Sequence, residues 1–558
     1  MQARSVSGLV ELWLLLTLAL GAVLTAALVV PMPYHFSRLV SWVQLGVMQK
    51  ALVVCYSMTL YSAVALPFSA VLSLGAYLVA PRLALSPRPI LKRVLLTLLL
   101  APVFASVIAF IFELPGTRTA LTHAKSDTEQ DLNVVLIVVD TLRADHLGSY
   151  GYELDTSPYL DSLAAEGVRF SRCHTTAAWT KPSVASILTS VYPAAHGANQ
   201  FRHQLPEDLT TIAELMRDAG FVTYAYVTNP HLKSIFLFDQ GFQFFDDYLI
   251  RDKLYLVAFR ELPIVAQVIK DLTGLPFGYR YADDSREATS RILRWVERYH
   301  DESFFMYLHY MDPHAPYSPP PPYDGMFGAT KMARYDGEIR FLDDNLAALM
   351  DRFRQLGIFD KTLFIITADH GEAFGEHGDW GHDRSVYQEQ LHVPLIVTYA
   401  AESLSGVVDT AVQTTDIAPT ILDFAGVEAP PAMVGRSLRQ LMHRQSGKPA
   451  DIFVDHTSAT GDARFHSVIV DGRHKYIHTL EGRPQNASVL GDEEVYDLLS
   501  DPFELSNLVA QDHGLAASLR ELCAAYVNDS SRRASPPSVV EELDDETESQ
   551  LRALGYID

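Results

Sequence analysis

The sequence predicts an α/β protein with a central, mostly parallel sheet flanked by helices, a smaller antiparallel subdomain behind it and transmembrane helices in front. Three observations carry that expectation. Leu132–Val139 (LNVVLIVV), Leu363–Thr367 (LFIIT) and, less cleanly, Phe304–Leu308 (FFMYL) are continuous apolar runs without the alternation of a half-exposed strand, the pattern of strands covered on both faces. Each run stops abruptly at polar residues capable of chemistry: Asp140, Asp369-His370, and His309 onward. Ligands of open parallel sheets bind beyond such carboxyl ends. Between the runs, Ser157–Gly167 and Leu209–Gly220 read as helices that end on glycine. After Ser405 the pattern changes. Thr415–Gly426 reads as one more helix, and short alternating runs at Phe465–Val470 and His474–His478 then read as an antiparallel subdomain.

The front of the chain is of another kind. Gly8–Val30 is interrupted only by Glu11, while Ala51–Val79 and Val94–Phe112 carry no charge. Each can cross roughly 30 Å of hydrocarbon at about 1.5 Å per residue. Residues 1–115 therefore read as a three-helix anchor over 8–30, 51–79 and 94–112. No small-residue cleavage site follows the first stretch, so an uncleaved anchor fits better than a signal peptide. Basic residues in short loops set the orientation. Arg82, Arg88, Lys92 and Arg93 place the loop before the third span in the cytoplasm, and Arg4 agrees, whereas Arg38 and Lys50 weigh mildly against it. Three spans leave everything after Glu113 on the outer side of the cell membrane, periplasmic in a bacterium; a second stretch folded as two spans would reverse that parity. Residues 116–131 read as a linker, 132–405 as the α/β domain, 406–530 as the subdomain completing it and 531–558 as a charged tail.

Charge narrows the partners. Residues 1–130 hold nine Lys/Arg against four Asp/Glu, a net of +5 in a chain of −23, so the remainder carries −28. That balance excludes nucleic acid, whose phosphates need a basic face. An anionic substrate would need a bound cation or local Arg and His groups. Cys55, Cys173 and Cys523 form no C-x-x-C, which excludes a cysteine zinc site. Cys173 and Cys523 read as free buried thiols or, in an oxidising compartment, as a disulfide.

Four clusters carry candidate chemistry. In Asp140-Thr-Leu-Arg143-Ala-Asp145-His146, Asp140 is either a hard-cation ligand at a strand end or a helix cap. In Trp179-Thr180-Lys181-Pro182-Ser183, Pro182 suits a first helical turn and Ser183–Val191 reads as the helix. Thr180 then stands at a helix N-terminus, as a plain cap or as a hydroxyl nucleophile facing an anion. His309-Tyr-Met-Asp312-Pro-His314-Ala-Pro-Tyr317 holds His314 between two prolines, a rigid position for a proton donor or oxyanion partner. The richest cluster runs from Asp369 to His382. Three His and four acidic residues share it with four Gly, a mixture suited to a metal or catalytic loop.

These clusters, in this order, resemble the sulfatase family of the alkaline-phosphatase superfamily. The likeness rests on NVVLIVVDTLRADHLGSYGY (133–152), TKPS (180–183) followed by ILTSVYP and His196-Gly197, YLHYMDPHAPY (307–317), and ADHGEAFGEHGDWGH (368–382) followed by HVPLIV. DGRHKYI (471–477) and VYDLLSDPFELSNL (495–508) extend it to the C-terminal end. The resemblance implies an alkaline-phosphatase-like fold and one divalent cation (Zn, Mn, Ca or Mg) held by Asp140, Thr180, Asp369 and His370. It implies Thr180 as nucleophile and His314 and His382 on the transferred oxyanion and leaving group, with Lys181, His309 and Arg143 as further substrate contacts. Two departures stand out. Typical sulfatases carry Cys-x-Pro-x-Arg, with the Cys oxidised to formylglycine; here those positions are Thr180 and Val184, so no formylglycine forms at this position. The usual second Asp after the first ligand is Thr141. An unmodified Thr resembles the phosphodiesterases, phosphoethanolamine transferases and lipoteichoic-acid synthases of the superfamily. The expected function is hydrolysis of sulfate or phosphate esters. The alternatives are transfer of a phosphoethanolamine- or phosphoglycerol-type headgroup to a lipid or glycan at the membrane, and a non-catalytic family member.

Overall fold

The first apolar run forms β1 (Asn133–Val139), buried at all seven residues. In chain order come β2 (Val168–His174), β3 (Val222–Val227), β4 (Phe244–Asp246), β5 (Phe304–Tyr310), β6 (Thr362–Ala368), the hairpin of β7 (Ala373–Phe374) and β8 (Trp380–Gly381), β9 (His392–Thr398), β10 (Gly406–Val408) and β11 (Val412–Gln413). This computed structural model describes residues 132–247, 284–481, 492–533, 538–540, 543, 547–548 and 551–552. The three apolar stretches and linker expected over 1–131 lie outside the described residues. No helix among the described residues is long and apolar enough to cross a membrane.

Among the described residues, nine strands form one sheet in the order β10-β2-β9-β6-β1-β5-β3-β4, with β11 on β2. Every pairing is parallel except those of β9 with β2 and β6. The mostly parallel sheet is therefore as expected. β5 and β6, like β1, are buried along their whole length, which is why they lack polar alternation. Helices α1 (Pro158–Glu166), α2 (Thr180–Thr189), α3 (Ile212–Asp218), α4 (Ser285–Tyr299), α5 (Lys331–Gln355) and α6 (Ile417–Phe424) share one apolar core with the sheet. Three of them open on side-chain caps: Thr211 and Glu214 form a capping box for α3, Asp284 caps α4 and Thr330 caps α5.

The large sheet does not stop at residue 405. β10 and β11 both pair with β2, and Val408, Val412, Ile417 and Ile421 enter the main core. The antiparallel sheet begins only at β12 (Ile452–Thr457) and continues through β13 (Arg464–Val470), β14 (His474–Glu481) and β15 (Glu493–Asp497). Strands of two or three residues are too short to show a period, so the sequence pattern does not reveal that β10 and β11 join the large sheet. Helix α7 (His513–Arg533) packs Ala516, Leu519 and Cys523 against Val468, Tyr476 and Val495. Cys173 and Cys523 are free and buried. The tail also contributes to packing. Val540 donates its N–H to Arg202 O, Gln204 donates to Ser538 O, and Leu551 is fully buried.

A buried ion pair fixes the small sheet to the segment that follows the glycine-rich loop. Lys475 Nζ lies 2.7 Å from Glu504, both fully buried, and also donates to Val386 O. Removing one partner strands the other charge in apolar surroundings. Lys475→Met is therefore expected to lose about 3–5 kcal/mol of stability in urea unfolding, and adding Glu504→Leu to recover most of it.

Candidate active site

Sheet register brings four strand ends together. Val139 of β1 lies beside Tyr310 of β5 and Ala368 of β6, and Val227 of β3 lies beside His309. Asp140 and Asp369 thus leave adjacent strands at one level, His309 sits one residue before the end of β5, and Asn229 follows β3. Asp140, His309 and Asp369 each bring a ligand atom within 4.8 Å of the others, and all three are buried. His309 Nε2 is 3.6 Å from Asp369 Oδ2 and 3.9 Å from Asp140 Oδ2. His370 Nε2 is 3.6 Å from Asp140 Oδ1 and 3.6 Å from Asp369 Oδ2.

Two of these carboxylate oxygens, Asp140 Oδ1 and Asp369 Oδ2, have no hydrogen-bond partner, and neither has either ring nitrogen of His309. Buried polar atoms are normally satisfied, and leaving them bare is costly. Burial, and next the Asp369 charge, push the Asp140 carboxyl well above the usual range. Burial lowers the His370 imidazole to about 4 against the pull of Asp369, so it is neutral, as a metal ligand must be. Two crowded carboxylates with bare O and N atoms are a donor set that fits a divalent cation.

Thr180 faces this cluster. Trp179, extended and without a side-chain cap bond, precedes α2, so the helix starts at Thr180 and not at Ser183 as expected. Thr180 Oγ1 accepts from Asn229 Nδ2 at 3.2 Å and lies 3.4 Å from His370 Nε2. The same Asn229 amide donates to Asp140 Oδ2 at 2.7 Å. Ser183 Oγ donates to the Asp369 carbonyl at 2.6 Å, tying the first turn of α2 to the end of β6. Backbone N–H groups and the helix dipole at this end favour an anion. Thr141 adopts a left-handed backbone (φ 59°), unusual for a β-branched residue; its N–H points to Asp369 Oδ1 at 3.3 Å and its carbonyl accepts from Tyr335.

Three imidazoles line up from the cluster. The His370 and His382 ring centroids are 4.4 Å apart, and those of His382 and His314 5.0 Å. His382 Nδ1 is 3.0 Å from Glu372 Oε1, and Tyr317 OH donates to Glu372 Oε2 at 3.0 Å. Burial, and next His314, lower His382 to about 3, while burial raises the Glu372 carboxyl.

Two expected substrate contacts are committed elsewhere. The Arg143 guanidinium is buried and spends its N–H groups on Asp145, Glu376 Oε1 and the Glu372 carbonyl, bracing the glycine-rich loop. Lys181 is fully buried; its ammonium donates to Phe201 O at 2.5 Å and His203 O at 2.9 Å, over the Phe236 ring. His309, expected on the substrate, lies with the two carboxylates instead. Asn229 was not foreseen. Its only signal is position, as a polar residue just past the apolar run Val222–Val227, where it also caps a short turn.

Gly371 sits between His370 and Glu372, and a Cβ there would meet Glu389 O at 2.1 Å. Because the obstacle is backbone, Gly371→Ala is expected to displace His370 and lower metal affinity about 10–100-fold in equilibrium dialysis.

The site and fold first define a class. The structure resembles a phosphonate monoester hydrolase of Agrobacterium radiobacter with a TM-score of 0.58 at 20% identity, covering 74% of this chain and 98% of that one. This is the alkaline-phosphatase-like α/β fold. The sulfatase family profile matches residues 132–427, and the profile of the N-sulphoglucosamine sulphohydrolase C-terminal region matches 375–525. The chain belongs to the sulfatase family. An arylsulfatase of Clostridium perfringens is 26% identical over 68% of this chain and 90% of its own. A multifunctional alkaline phosphatase superfamily protein of Trinickia caryophylli is 26% identical over 70% of this chain and 93% of its own.

Proposed function

We propose that the chain hydrolyses sulfate or phosphate esters with Thr180 as an unmodified nucleophile. The observation that carries this reading is the Thr180 hydroxyl at a helix N-terminus, 3.4 Å from His370 Nε2 and bridged by Asn229 to Asp140. A divalent cation bound by Asp140, Asp369, His370 and His309 would lower the hydroxyl pKa and offset charge on the transferred group. The two imidazoles favour zinc over calcium or magnesium, while the two carboxylates leave manganese open. Thr180 attacks sulfur or phosphorus as the ester oxygen leaves, and water then cleaves the threonine ester. Asn229 orients the hydroxyl. His314 meets the transferred oxyanion. His382, its Nδ1 on Glu372, presents the other ring nitrogen to the leaving oxygen.

The apolar stretches of residues 1–115 support a membrane-held enzyme with its site outside the cytoplasm. An acceptor alcohol in place of water would make the same threonine ester the intermediate of a headgroup transferase. The test is turnover of aryl sulfate, aryl phosphate and aryl phosphodiester by the full chain supplied with zinc or manganese, against a phospholipid with and without a glycan acceptor. Release of aryl alcohol supports the hydrolase; headgroup release only with acceptor supports the transferase; no turnover of any substrate contradicts both.

A further inference from the structure

The small antiparallel sheet reaches the catalytic loops through its edge strand. β12 is its edge strand, and the free edge faces the segment that leads into Thr180. Asp455 N–H donates to Thr176 O at 3.3 Å, and the Trp179 indole N–H donates to Thr457 O at 2.8 Å. Between them lies His456, fully buried. The Ala178 N–H donates to His456 Nδ1 at 3.2 Å, so Nδ1 is the acceptor. His456 Nε2 therefore carries the proton and donates to Asp383 O at 3.1 Å. Asp383 N–H returns to Ala178 O at 3.0 Å, closing a ring of three hydrogen bonds. Its members are the residue two before Thr180, the residue after His382, and an imidazole from a separate sheet.

Asp383 has a left-handed backbone (φ 79°), which still costs a non-glycine residue free energy. Such a conformation persists only where surroundings over-determine it. Here the ring holds its backbone, and its carboxylate accepts from Ala459 N–H at 3.0 Å by either oxygen. The sharp turn after His382 is thus imposed by β12 and the residues following it. Burial lowers the His456 imidazole to about 4, which keeps it in the neutral form the ring requires.

We propose that His456 is a positioning residue that sets the distance between the Thr180 hydroxyl and the His382 ring. The inference rests on the reading of Thr180 as nucleophile and His382 as leaving-group partner. The imidazole spans two loops that otherwise join different strands, and a shift of about 1 Å at reacting atoms is enough to cost about a hundredfold in rate.

The experiment compares His456→Ala, His456→Asn and His456→Gln in the full chain, with whichever aryl ester the wild type turns over. Metal content and the folded fraction are measured on the same samples. The expected result for His456→Ala is a kcat about a hundredfold lower per folded molecule, with KM within about threefold and metal content unchanged. Asn and Gln each restore one of the two ring bonds and should fall between Ala and wild type; they decide the matter if the Ala variant does not fold. Unchanged kcat per folded molecule, or a rise in KM alone, would overturn the proposal. Full activity in Thr180→Ala would instead remove the reading beneath it, whatever the His456 variants do.

Discussion

Thr180→Ala is expected to lower kcat by at least about a thousandfold, on the order of 4 kcal/mol of transition-state stabilisation, while the protein stays folded. The size follows from the role. The hydroxyl lies between Asn229 and His370 at the start of α2, and the alanine methyl cannot form its bond to sulfur or phosphorus. Stability should change little. Thr180 is buried, but its side chain caps nothing, and Ala fits the first turn of a helix. Steady-state kinetics with thermal melting on one preparation separates the two quantities. Activity within tenfold of wild type would remove Thr180 from the chemistry.

Asp140→Asn should act in opposite directions on activity and stability. Without a cation, Asp140 and Asp369 confront each other in a buried space, and Asp140 Oδ1 and Asp369 Oδ2 find no donor. An amide removes one of the two charges and keeps the shape. Metal-free Asp140→Asn is therefore expected to be more stable than metal-free wild type by about 1–2 kcal/mol, the usual gain when a strained functional site is relieved. The same change removes an anionic ligand, so turnover should fall on the order of a thousandfold, and added zinc or manganese should raise the melting temperature less than in wild type. Equal metal-induced stabilisation of the two proteins would show that Asp140 is not a ligand.

Much of this arrangement was legible in the sequence. β1, β5 and β6 are buried on both faces, so each had to be an unbroken apolar run, and the residue after each run had to lie at the sheet's carboxyl edge. That logic puts Asp140, Asp369 and His370 at that edge, where β1 and β6 end. It fails where the deciding partner is distant. Arg143 was expected on the substrate, but Glu376 and the Glu372 carbonyl, both more than 200 residues away in sequence, hold its guanidinium together with Asp145. Lys181 stands next to Thr180 in sequence, yet its ammonium turns to the carbonyls of Phe201 and His203. His309 was expected on the substrate; parallel register, not spacing, sets it opposite Val138 and beside the two carboxylates. Asn229 and His456 carry no motif. One ends an ordinary strand and the other lies in a sheet formed some 270 residues downstream of Thr180, and only tertiary contact reveals either.

The central claim is that the Thr180 oxygen itself accepts the transferred group. Acid-quenching the enzyme during turnover of an aryl ester, digesting it and sequencing the peptide that spans Thr180 by mass spectrometry tests this directly. A sulfuryl or phosphoryl group on Thr180, absent without substrate, is the predicted result. An adduct on another residue, or turnover at full rate with Thr180 never modified, would contradict the account.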